Sequence, residues 1–292
     1  MKQRQIKQDQ ITAGKKFDAL IQKLFLGGAL LLLISSFLFF KDKHYFFFSY
    51  LTAYCFLLTL TLGAMFIVLI NYITSAGWSV LVRRVPEVLM SNVMVIGIFT
   101  IPVLFGMHDL YHWTHLEDVL TDHLLQIKRP YLNIPFFLIR VVSYFAIWRW
   151  ISNRFFQGSV LQDKTGDPYI TQDLQKRSTY SMILFGITIT LAGIDFVMSL
   201  TPHWYSTIFG VYIFAGAVVV AYAVTSFIYI FLRKKNLLKE LVTIEHFHDL
   251  GKLVYGFNVF WAYIAFSQYF LIWYANVPEE TVFYAKHFVG SW

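Results

Sequence analysis

Long apolar stretches with almost no charge recur along this chain, at about Leu24–Phe40, Tyr50–Asn71, Val88–Met107, Tyr131–Ile151, Ser178–Leu200, Ser206–Leu232 and Leu253–Ala275. At a rise of ~1.5 Å per residue each can cross a hydrocarbon core of ~30 Å as a helix, with tilt and flanking residues making up the length. The pattern predicts an all-α polytopic bundle of about seven spans. It forms a single integral membrane domain over 1–292, with 1–19 as a polar tail along the inner surface. Between the runs, 72–86 reads as an interfacial turn with Trp78 at headgroup level and Arg83 and Arg84 toward lipid phosphate or a partner. Residues 108–130 form the longest outer connection. The 153–177 connection turns at Thr165-Gly166-Asp167-Pro168. Pro102 and Pro135 fall inside spans three and four, where a proline frees a carbonyl and kinks the helix. Gly186, Gly193, Gly210, Ala215, Gly216 and Ala217 allow close helix approach.

Charge then orients the spans. Lys and Arg number 24, and 17 of them lie in the N-terminal tail and the second, fourth and sixth connections. The positive-inside bias therefore places the N-terminus in the cytoplasm. A net charge of +7 in a chain that is 57% hydrophobic and only 14% charged marks cytoplasmic loops rather than a nucleic-acid surface. The single cysteine, Cys55, excludes an intrachain disulfide, a C-x-x-C-H haem attachment and a cysteine-ligated iron–sulfur cluster. No signal-peptide cleavage site is apparent, so the first span is expected to stay as an anchor.

Ionisable groups within spans are expensive and so are the first functional candidates. Asp195 sits one to two turns from the outer end of span five, and Arg140 in span four is its natural counter-charge. They read either as a proton-relay acid beside a fixed cation or as an ion pair joining two helices. His108, His112 and His115 repeat at i, i+4, i+7 just outside span three, with Asp109, Glu117, Asp118, Asp122 and His123 around them. This cluster reads as a metal or haem site, a proton-releasing surface, or a solvated helix; no metal is assigned to it. Glu245, His246, His248, Asp249 and Lys252 gather before span seven, as a proton entrance or as a polar helix held by i, i+3 and i, i+4 pairs. Gln268 and Tyr222 add polar points farther along. His203 and Trp204, after Pro202, could with Asp195 line a shallow outer pocket for a quinol ring.

The strings AGWSVLVRRVPE (76–87), DLYHW (109–113), YLNIPFFLIR (131–140), TPHWYSTIFGVYIFAG (201–216), HDLGKLVYG (248–256) and FWAYIAFSQYFLIWYANVPEE (260–280) together resemble the quinol:cytochrome c oxidoreductase membrane subunits of bacterial alternative complex III. The match is to the second polytopic subunit, within the wider NrfD-like and polysulfide-reductase-like group. It covers most of 50–280 in order. The resemblance implies a membrane protein built around two four-helix bundles in the bacterial inner membrane. It would pair with a sibling NrfD-like subunit, with periplasmic haem c and iron–sulfur subunits, and with a terminal oxidase. The complex oxidises menaquinol, and this chain would bind no cofactor of its own. The family assigns this subunit a structural role and a proton path, for which Asp195, Arg140, His108, Asp109, His112, Glu245, His248, Asp249, Gln268 and Tyr222 are the candidates here. Family chains have more spans, so the resemblance implies C-terminal family helices that are missing after Gly290-Ser291-Trp292.

Overall fold

The computed structural model describes residues 15–289, which are helical with no strand among them. The inner-surface reading of 1–14 and the chain end at 290–292 lie outside the described residues. Among the described residues, six helical segments are long and apolar enough to cross a membrane: Phe17–Lys41, Lys43–Ile73, Arg84–Phe105, Ile134–Thr165, Pro168–Leu200 and Phe209–Lys234. They fall on the first six runs. The seventh run lies in a helix of 32 residues, Ile244–Ala275, but its apolar content falls short. His246, His248, Asp249 and Lys252 load its first turns, and Asn258, Ser267 and Gln268 interrupt the rest.

Helices α1 (Lys15–Lys41) and α2 (Lys43–Ile73) are separated by one residue, Asp42. Its extended backbone breaks the helix, and its carboxylate accepts the Tyr45 N–H at 3.0 Å, capping the next one. Helix α2 is the hub, packed against α3 (Arg84–Ser91), α4 (Val93–Phe105), α9 (Pro168–Phe196) and α10 (Phe209–Lys234). Its contact with α10 is backbone-close at Gly63, where an added Cβ would lie 2.0 Å from the Ala217 carbonyl oxygen. Small residues act as expected at Ala217, at Gly210 against Thr190, and at Gly193 against Ile213, whereas Gly186 meets nothing.

Two expectations are corrected. Pro135 does not kink a span: it stands in the first turn of α8 (Ile134–Thr165), where an N–H has no intrahelical partner to lose, and Asn133 caps that turn through the Phe136 N–H at 2.9 Å. Residues 153–177 are not an open connection. Helix α8 runs on to Thr165, Gly166 ends it in the left-handed conformation at φ 67°, and Asp167-Pro168 starts α9 at once. The turn falls where it was read, but it joins two helices that continue well past the apolar runs. The 108–130 connection is also ordered, as α5 (Met107–Leu110), a 3₁₀ turn, α6 (Leu116–Thr121) and α7 (His123–Lys128). The short 201–205 connection makes α9 and α10 antiparallel neighbours, and α11 (Ile244–Ala275) lies on the outside of α10, followed by α12 (Pro278–Val289).

Gly63→Ala is expected to force α2 and α10 apart, because the obstruction is backbone rather than a movable side chain, at a cost of about 1–3 kcal/mol. A lowered thermal midpoint in detergent, compared with Gly186→Ala as the unobstructed control, checks it; equal midpoints would refute the contact.

Candidate functional site

The end of α9 holds the most enclosed charge among the described residues. Asp195 is fully buried and Arg140, in the second turn of α8, nearly so. Arg140 Nε donates to Asp195 Oδ2 at 2.8 Å and Nη2 to Oδ1 at 2.9 Å, a bidentate fork. Its Nη1 donates to the Tyr131 carbonyl at 2.9 Å, and its guanidinium lies 3.9 Å from the Tyr131 ring centre and 4.5 Å from that of Phe136. The Tyr144 hydroxyl, one turn along α8, donates to Asp195 Oδ2 at 2.7 Å. The last carbonyls of α9 are closed as well: Ser199 Oγ donates to the Asp195 carbonyl at 2.6 Å and the Tyr111 hydroxyl to that of Phe196 at 3.1 Å. Both Asp195 oxygens and all three Arg140 nitrogens are committed.

A second buried acid, Glu87, lies at the other end of α8. Arg83 Nε meets its Oε1 at 3.0 Å, Arg84 Nη1 its Oε2 at 2.9 Å, and Ser159 Oγ donates to Oε2 at 2.8 Å. Arg83 stacks 4.1 Å over the Tyr72 ring, and Arg84 also pairs with Asp163. A polar cavity of about 430 Å³ opens beside these groups, lined in part by Tyr72, Gln162 and Gln175. Sequence reasoning did not single out Glu87. Its signal was available: it is the only acid between Asp42 and Asp109, and two arginines precede it.

Buried polar side chains of α8 join the two centres. Arg140, Tyr144, Trp148 and Ser152 follow at four-residue intervals on one face, and Ser159 comes two turns later, ~28 Å from Arg140 along the axis. Trp148 Nε1 donates to Thr188 Oγ1 at 2.8 Å and Ser152 Oγ to the Met90 carbonyl at 2.9 Å.

The remaining candidates separate. His203 and Trp204 line a cavity of about 250 Å³ with His112, Glu279 and Phe283; Asp195 does not reach it, because its carboxylate is turned inward to Arg140. Trp204 stacks on Phe283 at 4.0 Å, and His203 Nε2 donates to Asp122 Oδ2. His108, His112 and His115 do converge, but not as one helical face. The helix breaks at Tyr111, whose backbone is extended, and a tight turn brings the rings together. Asp109 is half-buried beside them.

At the start of α11, Asp249 pairs with Lys252 at 3.4 Å, and His246 is drawn into the helix cap, accepting the Thr243 N–H at 3.2 Å. No other ion pair forms there among the described residues. Glu245 and His248 are exposed. Toward the middle of the bundle, Phe66 touches Phe214 at 4.9 Å, Phe257 at 5.9 Å and Phe185 at 6.3 Å. Tyr222 stacks on Phe257 at 5.7 Å, and Gln268 is buried farther along α11.

No family model matches the chain, and no curated protein matches it.

Two outcomes follow from these geometries. Arg140→Ala should cost about 3–5 kcal/mol, since it strands a buried carboxylate, whereas replacing Arg140 and Asp195 together by apolar residues of similar size should cost less than either single loss; unfolding of the three variants in detergent measures the difference. The hydrogen bond from His203 holds the Asp122 carboxyl below the ordinary aspartate range. Its charged form is therefore favoured in the folded state, and the latch between α7 and the 201–205 loop should persist below the usual aspartate value and open only as pH falls through the lowered one. A carboxyl carbon NMR titration reads this, and an Asp122 midpoint at or above that of exposed aspartates would contradict it.

Proposed function

We propose that this chain is a bracing membrane subunit of a quinol-oxidising respiratory complex of the alternative complex III kind. On this reading it sits in the bacterial cytoplasmic membrane with its N-terminus inside and α11 as a seventh crossing. It lies beside a sibling quinol subunit and beneath haem c and iron–sulfur subunits that carry the electrons from menaquinol. The strings that resemble that family contain Arg83, Arg84 and Glu87 of one charge centre and Tyr131, Phe136 and Arg140 of the other, while Asp195, Tyr144 and Ser159 lie outside them.

The observation that carries the bracing role is the state of the α8 polar stripe. Each of its groups is spent on a fixed partner. Trp148 sits mid-way and an indole N–H only donates, so it cannot pass a proton on. A route from Glu245, His248 and Asp249 toward Asp195 would have to pass the Phe66, Phe185, Phe214 and Phe257 rings. One observation favours the second reading, a proton path: the buried Glu87 borders a polar cavity, which sets an acid beside that cavity at one end of the stripe.

Purification of the native chain by an affinity tag tests membership. Co-purification with haem c and iron–sulfur proteins and with quinol:cytochrome c activity is expected; a lone chain that transports solute or oxidises quinol unaided would overturn it. In complexes that still assemble, Asp195→Asn should leave the ratio of proton release to quinol turnover unchanged. A selective loss of proton release would favour the path instead.

A further inference from the structure

The segment after α4 turns sharply, and the turn is tied down from beneath. Tyr111 and Trp113 are buried, Tyr111 through its bond to the Phe196 carbonyl and Trp113 through its contact with Phe137 at 5.5 Å. Leu110 and Val119 are buried on either side of them. With 111 and 113 facing in, His112 and His115 face out. The Thr114 N–H to the Tyr111 carbonyl at 3.0 Å and the His115 N–H to the His112 carbonyl at 3.1 Å close the turn.

The exposed side of this turn gathers nitrogen and oxygen donors. One ligating atom each from His112, His115 and Asp118 lies within 4.8 Å of the others. His115 Nδ1 is 3.8 Å from Asp118 Oδ2; it also lies 3.3 Å from the His112 carbonyl, a contact it exchanges for the ion if it is the ligating nitrogen. The His108 ring centre is only 4.0 Å from that of His115. Two ligands of one tetrahedral ion, each at 2.0–2.1 Å, stand ~3.3 Å apart, so the donors must close from within 4.8 Å, and His112 and Asp118 are the exposed side chains that can turn toward the half-buried His115.

We propose that His112, His115 and Asp118, with His108 in reach as a fourth donor, form a binding site for a borderline divalent cation of the zinc class. The site is separate from both buried ion pairs. Imidazole nitrogens set against one carboxylate select zinc, copper or nickel, because magnesium and calcium demand oxygen-rich shells. The backbone is already set by Tyr111 and Trp113, so binding asks only side-chain order. His112 also lines the cavity of His203 and Trp204, which puts the ion at the rim of that cavity.

Zinc titration of the purified full chain in chelator-washed detergent, followed by calorimetry, is the test. One Zn²⁺ per chain is expected, retained in excess Mg²⁺. His112→Ala with His115→Ala should weaken it by at least about tenfold, since losing a ligand costs no less than losing the groups that orient one. His123→Ala, an exposed histidine outside the cluster, should leave it unchanged. Cu²⁺ in the same site should show splitting from at least two nitrogens by electron paramagnetic resonance. The melting temperature of each variant without metal controls for folding. Absence of stoichiometric Zn²⁺, displacement by Mg²⁺, or binding that survives the double replacement would each overturn the site.

Discussion

A charged side chain can be kept in an apolar interior only if other groups supply what water gave it, and the fork between Arg140 and Asp195 is where this chain meets that demand most fully. The demand is not met by the pair alone. Two charges in contact still leave lone pairs and N–H groups facing a medium that cannot solvate them. Tyr144 takes one of those sites, the Tyr131 carbonyl another, and the rings of Tyr131 and Phe136 cover the guanidinium. These groups come from the start of α8, the segment before it and the end of α9. Moving any of those elements opens the cage, so one pair fixes the relative position of all three.

The same logic explains why the buried charges stand at the two ends of the bundle while the middle holds only neutral polar groups. Glu87 with Arg83, Arg84 and Ser159 closes one end as Asp195 closes the other. Between them the helices meet through backbone proximity at Gly63 and through phenyl rings around Phe66. Packing of this kind has no preferred rotation about the helix axis beyond shape. The ion pairs supply direction, and the α8 bonds from Trp148 to Thr188 and from Ser152 to the Met90 carbonyl hold its register against α9 and α3.

Much of this was legible from residue order. Apolar run length gave the first six helices because only length and solvent decide them. Arg140 and Asp195 were legible as a pair because Asp195 is the one charge in its run and, of the two arginines in span four, Arg140 rather than Arg149 lies toward the same end of the bundle. Tyr144 and Glu87 were not singled out, for different reasons. Tyr144 is one of 18 tyrosines, and nothing but its spacing from Arg140 distinguishes it. Glu87 sits among basic loop residues that read as interfacial, and its burial depends on Ser159 and Tyr72 arriving from distant sequence. The histidines were grouped correctly for the wrong reason. Helical periodicity placed them on one face, whereas a break at Tyr111 does the work, because burial of that ring outweighs continuing the helix. The pocket that was to hold Asp195, His203 and Trp204 failed on direction. Proximity in sequence to the outer loop says nothing about which way a carboxylate turns once an arginine is available.

What surrounds the bundle follows from what its outer helices lack. The apolar window of α1 has no buried residue, and its Phe25, Leu31 and Phe37 face outward, which hydrocarbon tolerates at no cost. Helix α11 is different. Its outward side carries Tyr255, Tyr263, Phe266 and Tyr274 together with Asn258, and its buried side is confined to Leu250, Ile264, Gln268 and Ile272. An amide in mid-helix facing acyl chains forfeits hydrogen bonds that a protein neighbour would return. The feature that keeps α11 below the apolarity of the other helices is thus the feature a subunit contact would use. The two flanks of the bundle therefore differ: the α1 side offers chiefly apolar side chains to its surroundings, whereas the α11 side offers hydrogen-bonding groups among its rings.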